Sequence, residues 1–482
     1  YSLSYSYSID ETSAYRRESI QHELQEALNG RGGVNRDEWF YFAWDSKSLN
    51  SEDLYQTILG FYGYNAKATQ KTLDFVTVGE VFDMSAGPAY LAFGVQILED
   101  TLEYDYNDQS EQFVFSFFIG GDDFKVDQNT KAIFAEFALP VSDNLEINLA
   151  ARYTDVENES STDPKISLLW TVSDSWSFRG SASTSFRVPS LFSSGDSFYN
   201  AAGGVDPALG TEITYREEKA TDPTRQLVPQ TAFSWNLGTT FTSDNGVTIS
   251  LDYWNYDYED YITYESSNAV LVTDPFGSQV LRDDSGNVVQ VTSFASNAGF
   301  LRTDGIDFSF KWAADTGSGT FMPFLEFTYM FSYDMDDPQW GVLNGKGIRN
   351  FHNIGAPAVE FRANGGLLWT TGGHAANLYV RYIDGYLSDE SDSRLGGPIL
   401  DSNSQPDFDN YLPIDDMITV DVQYSYALSG GLFGSDNVTT LRVGARNLLD
   451  EEAPGAFGSA GYDERVHNPR GRSVYLGIQT SF

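Results

Sequence analysis

The stretch SVYLGIQTSF, Ser473 to Phe482, sends Val474, Leu476, Ile478, Thr480 and Phe482 to one side of an extended chain. Ser473, Tyr475, Gly477, Gln479 and Ser481 go to the other. A period of two with apolar and small or polar residues on opposite faces describes a strand between two different solvents. The same alternation recurs upstream. Leu441, Val443 and Ala445 oppose Arg442, Gly444 and Arg446, and Ile418, Val420, Val422, Tyr424, Tyr426 and Leu428 oppose Thr419, Asp421, Gln423, Ser425 and Ala427. Leu325 to Tyr333, Ile306 to Trp312 and Leu145 to Tyr153 repeat it. With hardly a helical stretch to form a second layer, these strands predict an all-β fold, an antiparallel up-and-down transmembrane β-barrel, because lipid tolerates only helices or sheets without edges. Asp421 and Lys311, flanked by lipid-type residues, must then point inward. At mid-bilayer on the outer face each would cost about 2–4 kcal/mol. The lumen is polar.

Composition agrees. Across 482 residues no linker, Pro-rich hinge or Ser-rich hinge divides the chain, so residues 1–482 read as one barrel unit. Hydrophobic residues are 41% and mean hydropathy is −0.33, and no apolar run is long enough to span as a helix. A barrel shows such values because every second residue faces water or protein. The 29 Tyr and 34 Phe gather near strand ends, as interface girdles do. The absence of Cys excludes disulfides, thiolate metal sites and Cys nucleophiles.

Connection lengths set the orientation. Pro140–Asp143, Ser243–Gly246, Ala313–Ser318 and Thr370–Ala375 are short and carry turn residues. Long loops are expected over Ile9–Gln70, Pro189–Leu227, Glu265–Phe300, Asp334–Ala356, Leu387–Ile414 and Asp450–Pro469. Short turns alternating with long loops are the periplasmic and extracellular ends of an outer-membrane barrel, which puts Phe482 on the periplasmic side, and the spacing leaves room for about 16 strands. Tyr1–Ser8 already alternate, so the chain opens inside a strand.

Five pieces in order now resemble the TonB-dependent outer-membrane receptor family. STSFRVPS (Ser183–Ser190), with Phe186, Arg187 and Pro189, is similar to that family's GFRAPS strand end. TDPK, with Asp163, Pro164 and Lys165, stands where the family has NPK before a descending strand. RTDGID, with Gly305 and Asp307, resembles its strand-starting xxGxE/D. ARNLLD, with Asn447, matches xxNLFD, and HNPRGR, with Arg470, Gly471 and Arg472, leads into the final strand as PGR does. Phe482 stands as the terminal aromatic of a folding and insertion signal, although Thr480 departs from the apolar residue expected two before it. The resemblance implies a 22-stranded barrel of which this chain is the C-terminal portion. It implies an N-terminal plug upstream of Tyr1, and energy delivered through that plug by the TonB–ExbB–ExbD complex.

These motif residues read mainly as architecture. Pro189 stops ladder pairing at the rim, Gly305 starts or kinks a strand and Asn447 caps the rim. The net charge of −40 belongs in loops and lumen, at Asp336, Asp337, Asp389, Glu390, Asp392, Asp407, Asp409, Glu451 and Glu452 among others. It excludes nucleic acid as a partner. Above anionic lipopolysaccharide, such carboxylates suit bridging calcium; the alternative is a solvated surface. Arg282–Asn287 reads as a hairpin turn rather than a calcium loop. His22, His352, His374 and His467 fall in loops or turns without a defensible Ser–His–carboxylate set, so no enzyme is expected. Two helices, Glu18–Leu28 and one N-capped by Ser51, stand in the first long loop, where they cover the barrel mouth or shield neighbouring loops. The expected function is outer-membrane uptake of a scarce small solute (a metal chelate, a vitamin or an oligosaccharide), driven through TonB. The alternative is a self-contained 16-stranded diffusion porin.

Overall fold

The computed structural model describes residues 1–42, 49–116, 120–157, 159–194, 198–222, 224, 227–337, 340–348, 357–389, 399–401, 405–429, 438–456 and 461–481. Phe482, His352, Glu390 and Asp392 lie outside these residues.

Among the described residues, sixteen strands form one continuous antiparallel meander. They are β1 (Ser2–Ser19), β2 (Leu59–Met84), β3 (Gly87–Tyr106), β4 (Phe124–Ser142), β5 (Leu145–Val156), β6 (Glu159–Ser173), β7 (Trp176–Arg187) and β8 (Gln230–Thr242). β9 (Val247–Tyr264), β10 (Val288–Trp312), β11 (Gly319–Asp337), β12 (Phe361–Thr371), β13 (His374–Ile383), β14 (Met417–Ser429), β15 (Val438–Arg446) and β16 (Ser473–Ser481) complete it. Each strand pairs with the next in chain order, and six further segments extend the sheet to 22. Among the described residues no helix is long and apolar enough to cross a membrane. Among the described residues no pairing joins β1 to β16. Outward side chains on these end strands are accordingly bare: Leu476 on β16 is 78% exposed, against 40% for Leu149 on β5.

Register puts the predicted faces together. Asp421 lies opposite Tyr379 on β13 and Gln423 opposite Gly444 on β15, while Val422 lies opposite Leu378 and Ala445. Lys311 pairs with Glu326 of β11 at 3.0 Å on the same face as Asp307 and Thr328. Turns joining β4 to β5, β8 to β9 and β12 to β13 fall where expected. At the second, Gly246 takes φ 81°, and a Cβ there would stand 2.9 Å from the Ala313 carbonyl oxygen.

The loops differ from expectation in length. β1 continues to Ser19 and β2 begins at Leu59, so much of the expected loop Ile9–Gln70 is wall. β10 begins at Val288 inside the expected loop Glu265–Phe300. β2, with 26 residues, measures on the order of 85 Å along the strand, far more than an apolar band about 25 Å tall requires even with tilt. The upper wall therefore stands clear of the bilayer, where both faces meet water and apolar alternation has no cause.

At the long-loop end, the loops fold on one another. α1 (Gln21–Leu28) and α2 (Glu52–Ile58), the latter capped by Ser51 Oγ accepting from Leu54 N at 2.9 Å, pack Leu24 and Ala27 against Leu54 and Ile58. A hairpin of Phe198–Asp206 and Thr211–Thr221 pairs in parallel with β10, Arg216 opposite Gln290 through Thr221 opposite Ala295. Tyr215 is buried there with Val288 and Val291 and with Val270 and Leu271 of α3 (Ser267–Thr273). Gly120 and Gly121 pair with the same hairpin, and Ile20 bridges to Phe115. Four connections are thus tied together.

Candidate functional site

The inner wall carries a chain of polar contacts. Arg152 on β5 donates from Nη2 to Gln96 Oε1 at 2.7 Å, and Gln96 Nε2 donates to Asp74 Oδ1 at 2.8 Å, linking β5, β3 and β2. Arg179 on β7 reaches across β8 to Asp252 on β9, with Nε to Oδ1 at 2.7 Å, and its Nη1 donates to Thr240 at 2.7 Å. Arg381 pairs with Asp421 at 2.9 Å, and Tyr475 donates to Gln423 at 3.0 Å. Alternation requires this: guanidinium groups confined to one face of the sheet meet the carboxylates confined to the same face.

The structure brings some of the sequence-singled residues together. Asp163, Lys165 and Phe186 line a recess of about 540 Å³, along with Phe134, Glu136 and Arg152. Pro164 lies inside β6 rather than before it, a correction to the expected boundary. Beyond Lys165 opposite Ser183, β6 no longer pairs with β7, so the missing proline N–H falls where the ladder has parted. Arg187 ends β7 as expected, and Pro189 follows it. Gly305 does not start a strand. It sits within the 25-residue β10, at a register shift after Asp304, where a Cβ would stand 2.5 Å from the Tyr329 carbonyl oxygen and from the Trp254 ring. Asp307 accepts from Thr328 Oγ1 at 2.6 Å.

Asn447 joins the two last motifs. It takes φ 46°, its amide accepts from Glu451 N at 2.9 Å and donates to the Glu451 and Arg470 carbonyls, and its own N–H donates to Asp421 at 2.8 Å. Asp450 accepts from Arg472 N at 2.7 Å, with Gly471 close beside it. Asn447, Arg470, Gly471 and Arg472 therefore form one corner between β15 and β16, away from the recess holding Asp163 and Lys165.

At the long-loop end, the inner face becomes aromatic. β2 and β3 pair without a shift from Tyr64 to Glu80, so Tyr62, Tyr64, Tyr104 and Tyr106 share the face of Asp74 and Gln96. Tyr104 and Phe124 stack at 5.0 Å, Tyr64 and Tyr104 approach to 5.4 Å, and Phe192 closes on Tyr104 at 5.7 Å. The sequence reading missed this patch. Its signal was the pair of i, i+2 tyrosines in Tyr62-Gly63-Tyr64 and Tyr104-Asp105-Tyr106.

Two loop sites are electrostatically distinct. Arg282 forms a two-armed ion pair with fully buried Asp206, at 2.7 and 2.9 Å, and holds that carboxyl below its ordinary range. Arg282–Asn287 is the hairpin turn expected: Asp283 accepts from Ser285 N and Asn287 N, and Gly286 takes φ 85°. His467 is buried, its ring stacked on Tyr386 at 5.9 Å, and among the described residues neither ring nitrogen has a hydrogen-bond partner. Burial pushes its pKa down, with Asp463 opposing. His374 bonds Tyr424 at the short-turn end, at 2.6 Å. Among the described residues, no group of three or more His, Asp and Glu side chains is arranged to hold a metal ion.

Residues 1–448 match the family described as TonB dependent receptor-like, beta-barrel. No curated protein matches the chain. Among solved structures, the siderophore receptor PirA from Acinetobacter baumannii is 17% identical, with TM-score 0.59, over 99% of this chain and 60% of that one. A mutant of the ferric enterobactin receptor PfeA from Pseudomonas aeruginosa is 13% identical, with TM-score 0.63, over 99% and 59%. Another PfeA mutant, in complex with enterobactin, is 14% identical, with TM-score 0.62, over 98% and 59%. The chain thus spans about 60% of the length of these structures, and at such identities the likeness is one of fold.

Proposed function

The chain belongs to the TonB-dependent receptor-like β-barrel family, and from that premise we propose that the protein works as an outer-membrane transporter that takes up a scarce small solute with energy relayed through TonB. The observation that carries this reading is the pairing of a polar, cross-linked inner wall with tall strands whose loops are tied into a canopy. A wall of this height gathers solute above the bilayer, and its inward polar groups offer a path down. A metal chelate is the finer reading, supported by the siderophore receptors among the structural neighbours. The TonB–ExbB–ExbD complex and lipopolysaccharide are its proposed partners, with the long loops outward and the short turns periplasmic.

A passive sixteen-stranded porin is the second reading, favoured by the count of long strands. It would join β1 to β16, and among the described residues that pairing does not occur. The test is uptake by cells carrying the whole protein, with and without TonB, measured as depletion of metal chelates from the medium. Chelate depletion that disappears without TonB is the expected result. Depletion that continues unchanged without TonB would replace this reading with the porin.

A further inference from the structure

The aromatic patch at the top of the inner wall sits in a field of one sign. Tyr62, Tyr64 and Tyr104 are half-buried, with Phe124 and Phe192 against them, and Tyr106 is buried behind. Asp108, Glu111, Asp122 and Asp123 stand in the loop beside it, and Asp105 stands on the other face of β3. Repulsion from Asp123, then burial, then the other three carboxylates push the Glu111 carboxyl above its ordinary range. Asp123 also accepts from the Tyr106 N–H at 2.6 Å, which fixes this acidic group beside the rings.

The lysines of these strands stand on the opposite face of the wall and are paired there: Lys67 with Glu11 at 2.7 Å, Lys71 with Glu99 at 3.0 Å and Lys125 with Glu103 at 3.3 Å. Arg16 contacts Glu18 at 3.6 Å and lies over the Tyr62 ring, 5.1 Å from its centre. That last contact shows that a ring of the patch presents its face to a guanidinium. Aromatic faces attract cations through the ring quadrupole, and a low-dielectric wall lined by carboxylates concentrates cations and excludes anions.

We propose that this patch receives the solute, and that the part of the chelate it takes is cationic: an ammonium or guanidinium group on an apolar or aromatic body. The proposal deepens the transporter reading by naming the charge class of the ligand, and it rests on that reading for the step after binding. The rings take the apolar body and one face of the cationic group, and the carboxylates supply the field that brings it in. A polyanionic solute gains nothing from the rings and meets the repulsion already felt by Glu111.

Binding is measured on the purified full-length protein in detergent by equilibrium dialysis. The probes are benzyltrimethylammonium, benzyl alcohol and phenylacetate, which share a ring and differ in charge. At low salt the cation should bind saturably and at least about tenfold more tightly than phenylacetate, a preference that shrinks as salt screens the field. Tyr104→Leu, which keeps an apolar side chain in place, should abolish the preference. The double change Asp122→Asn with Asp123→Asn should reduce it while leaving benzyl alcohol unaffected. Heat-modifiable migration of each variant reports that the barrel has folded. Equal or tighter binding of phenylacetate, or cation binding indifferent to Tyr104→Leu in a folded variant, overturns the proposal. Those outcomes leave TonB-dependent uptake standing, whereas uptake that ignores TonB leaves cation binding standing, so the two readings fail separately.

Discussion

His467 shows how one side chain can govern a loop junction. It is 4% exposed, lies flat against Tyr386, and shares a cluster that includes Val359, Ile414, Ala456 and Val466 through its neighbours. Tyr386 in turn donates to buried Asp463 at 2.8 Å, so the junction holds a carboxylate whose field favours protonation, and Arg362 nearby opposes it. Burial outweighs the carboxylate, and the folded pKa lies below the ordinary 6.5. Between that lowered value and 6.5 the unfolded loop binds more protons than the folded one. The junction is therefore at full stability above about pH 6.5 and loses stability as pH falls below it. Protection of the amides across Tyr386–Ser388 and Leu412–Ile414, taken against the intrinsic exchange rate at each pH, should fall between pH 7.5 and pH 5. In His467→Phe, which keeps the ring and removes the titration, that fall should vanish. The same fall in the variant would assign the pH response to another group.

At the scale of elements, the canopy depends on contacts made between loops far apart in sequence. Asp206 closes the hairpin Phe198–Asp206 and Thr211–Thr221, while Arg282 begins the turn before β10, and their side chains meet almost wholly buried. Removing one partner of such a pair strands a buried charge and costs about 3–5 kcal/mol, whereas replacing both with apolar groups costs far less. Arg282→Met should open the hairpin to protease without loosening the strands below. Adding Asp206→Leu should restore most of the protection. Equal damage by both variants would mean that packing of Tyr215, Val270 and Leu271, rather than the ion pair, holds the hairpin.

This element also marks the limit of what was legible in the sequence. Within the bilayer, alternation has a strong cause, so Leu145–Tyr153, Ile306–Trp312 and Ile418–Leu428 could be read residue by residue. Above it, Lys67–Gln70 and Ile9–Ser13 meet water on both faces, the period fades, and wall was read as loop. The parallel pairing of Arg216–Thr221 with Gln290–Ala295 rests on contacts over 70 residues apart, for which no local signal exists. Asn447 and the run Arg470–Arg472 were legible as two separate motifs, and only the folded corner joins them. The recess around Asp163 and Lys165 depends on β6 and β7 parting, which only Pro164 hinted at.

For the whole molecule, transport along a polar inner wall requires that, in each membrane-level strand, odd and even residues face different solvents. The chain has no cysteine, so each position can be probed against an empty background. Single cysteines at Asp421, Val422, Gln423, Leu476, Gly477 and Ile478 would sample both faces of β14 and β16. In the protein inserted in membranes, a charged, water-soluble thiol reagent should label positions 421, 423 and 477, and leave 422, 476 and 478 unmodified. A lipid-soluble spin label at the latter three should show quenching by a paramagnetic agent dissolved in the hydrocarbon. Equal labelling of all six by the water-soluble reagent would contradict the barrel, and with it the transport reading built on its inner wall.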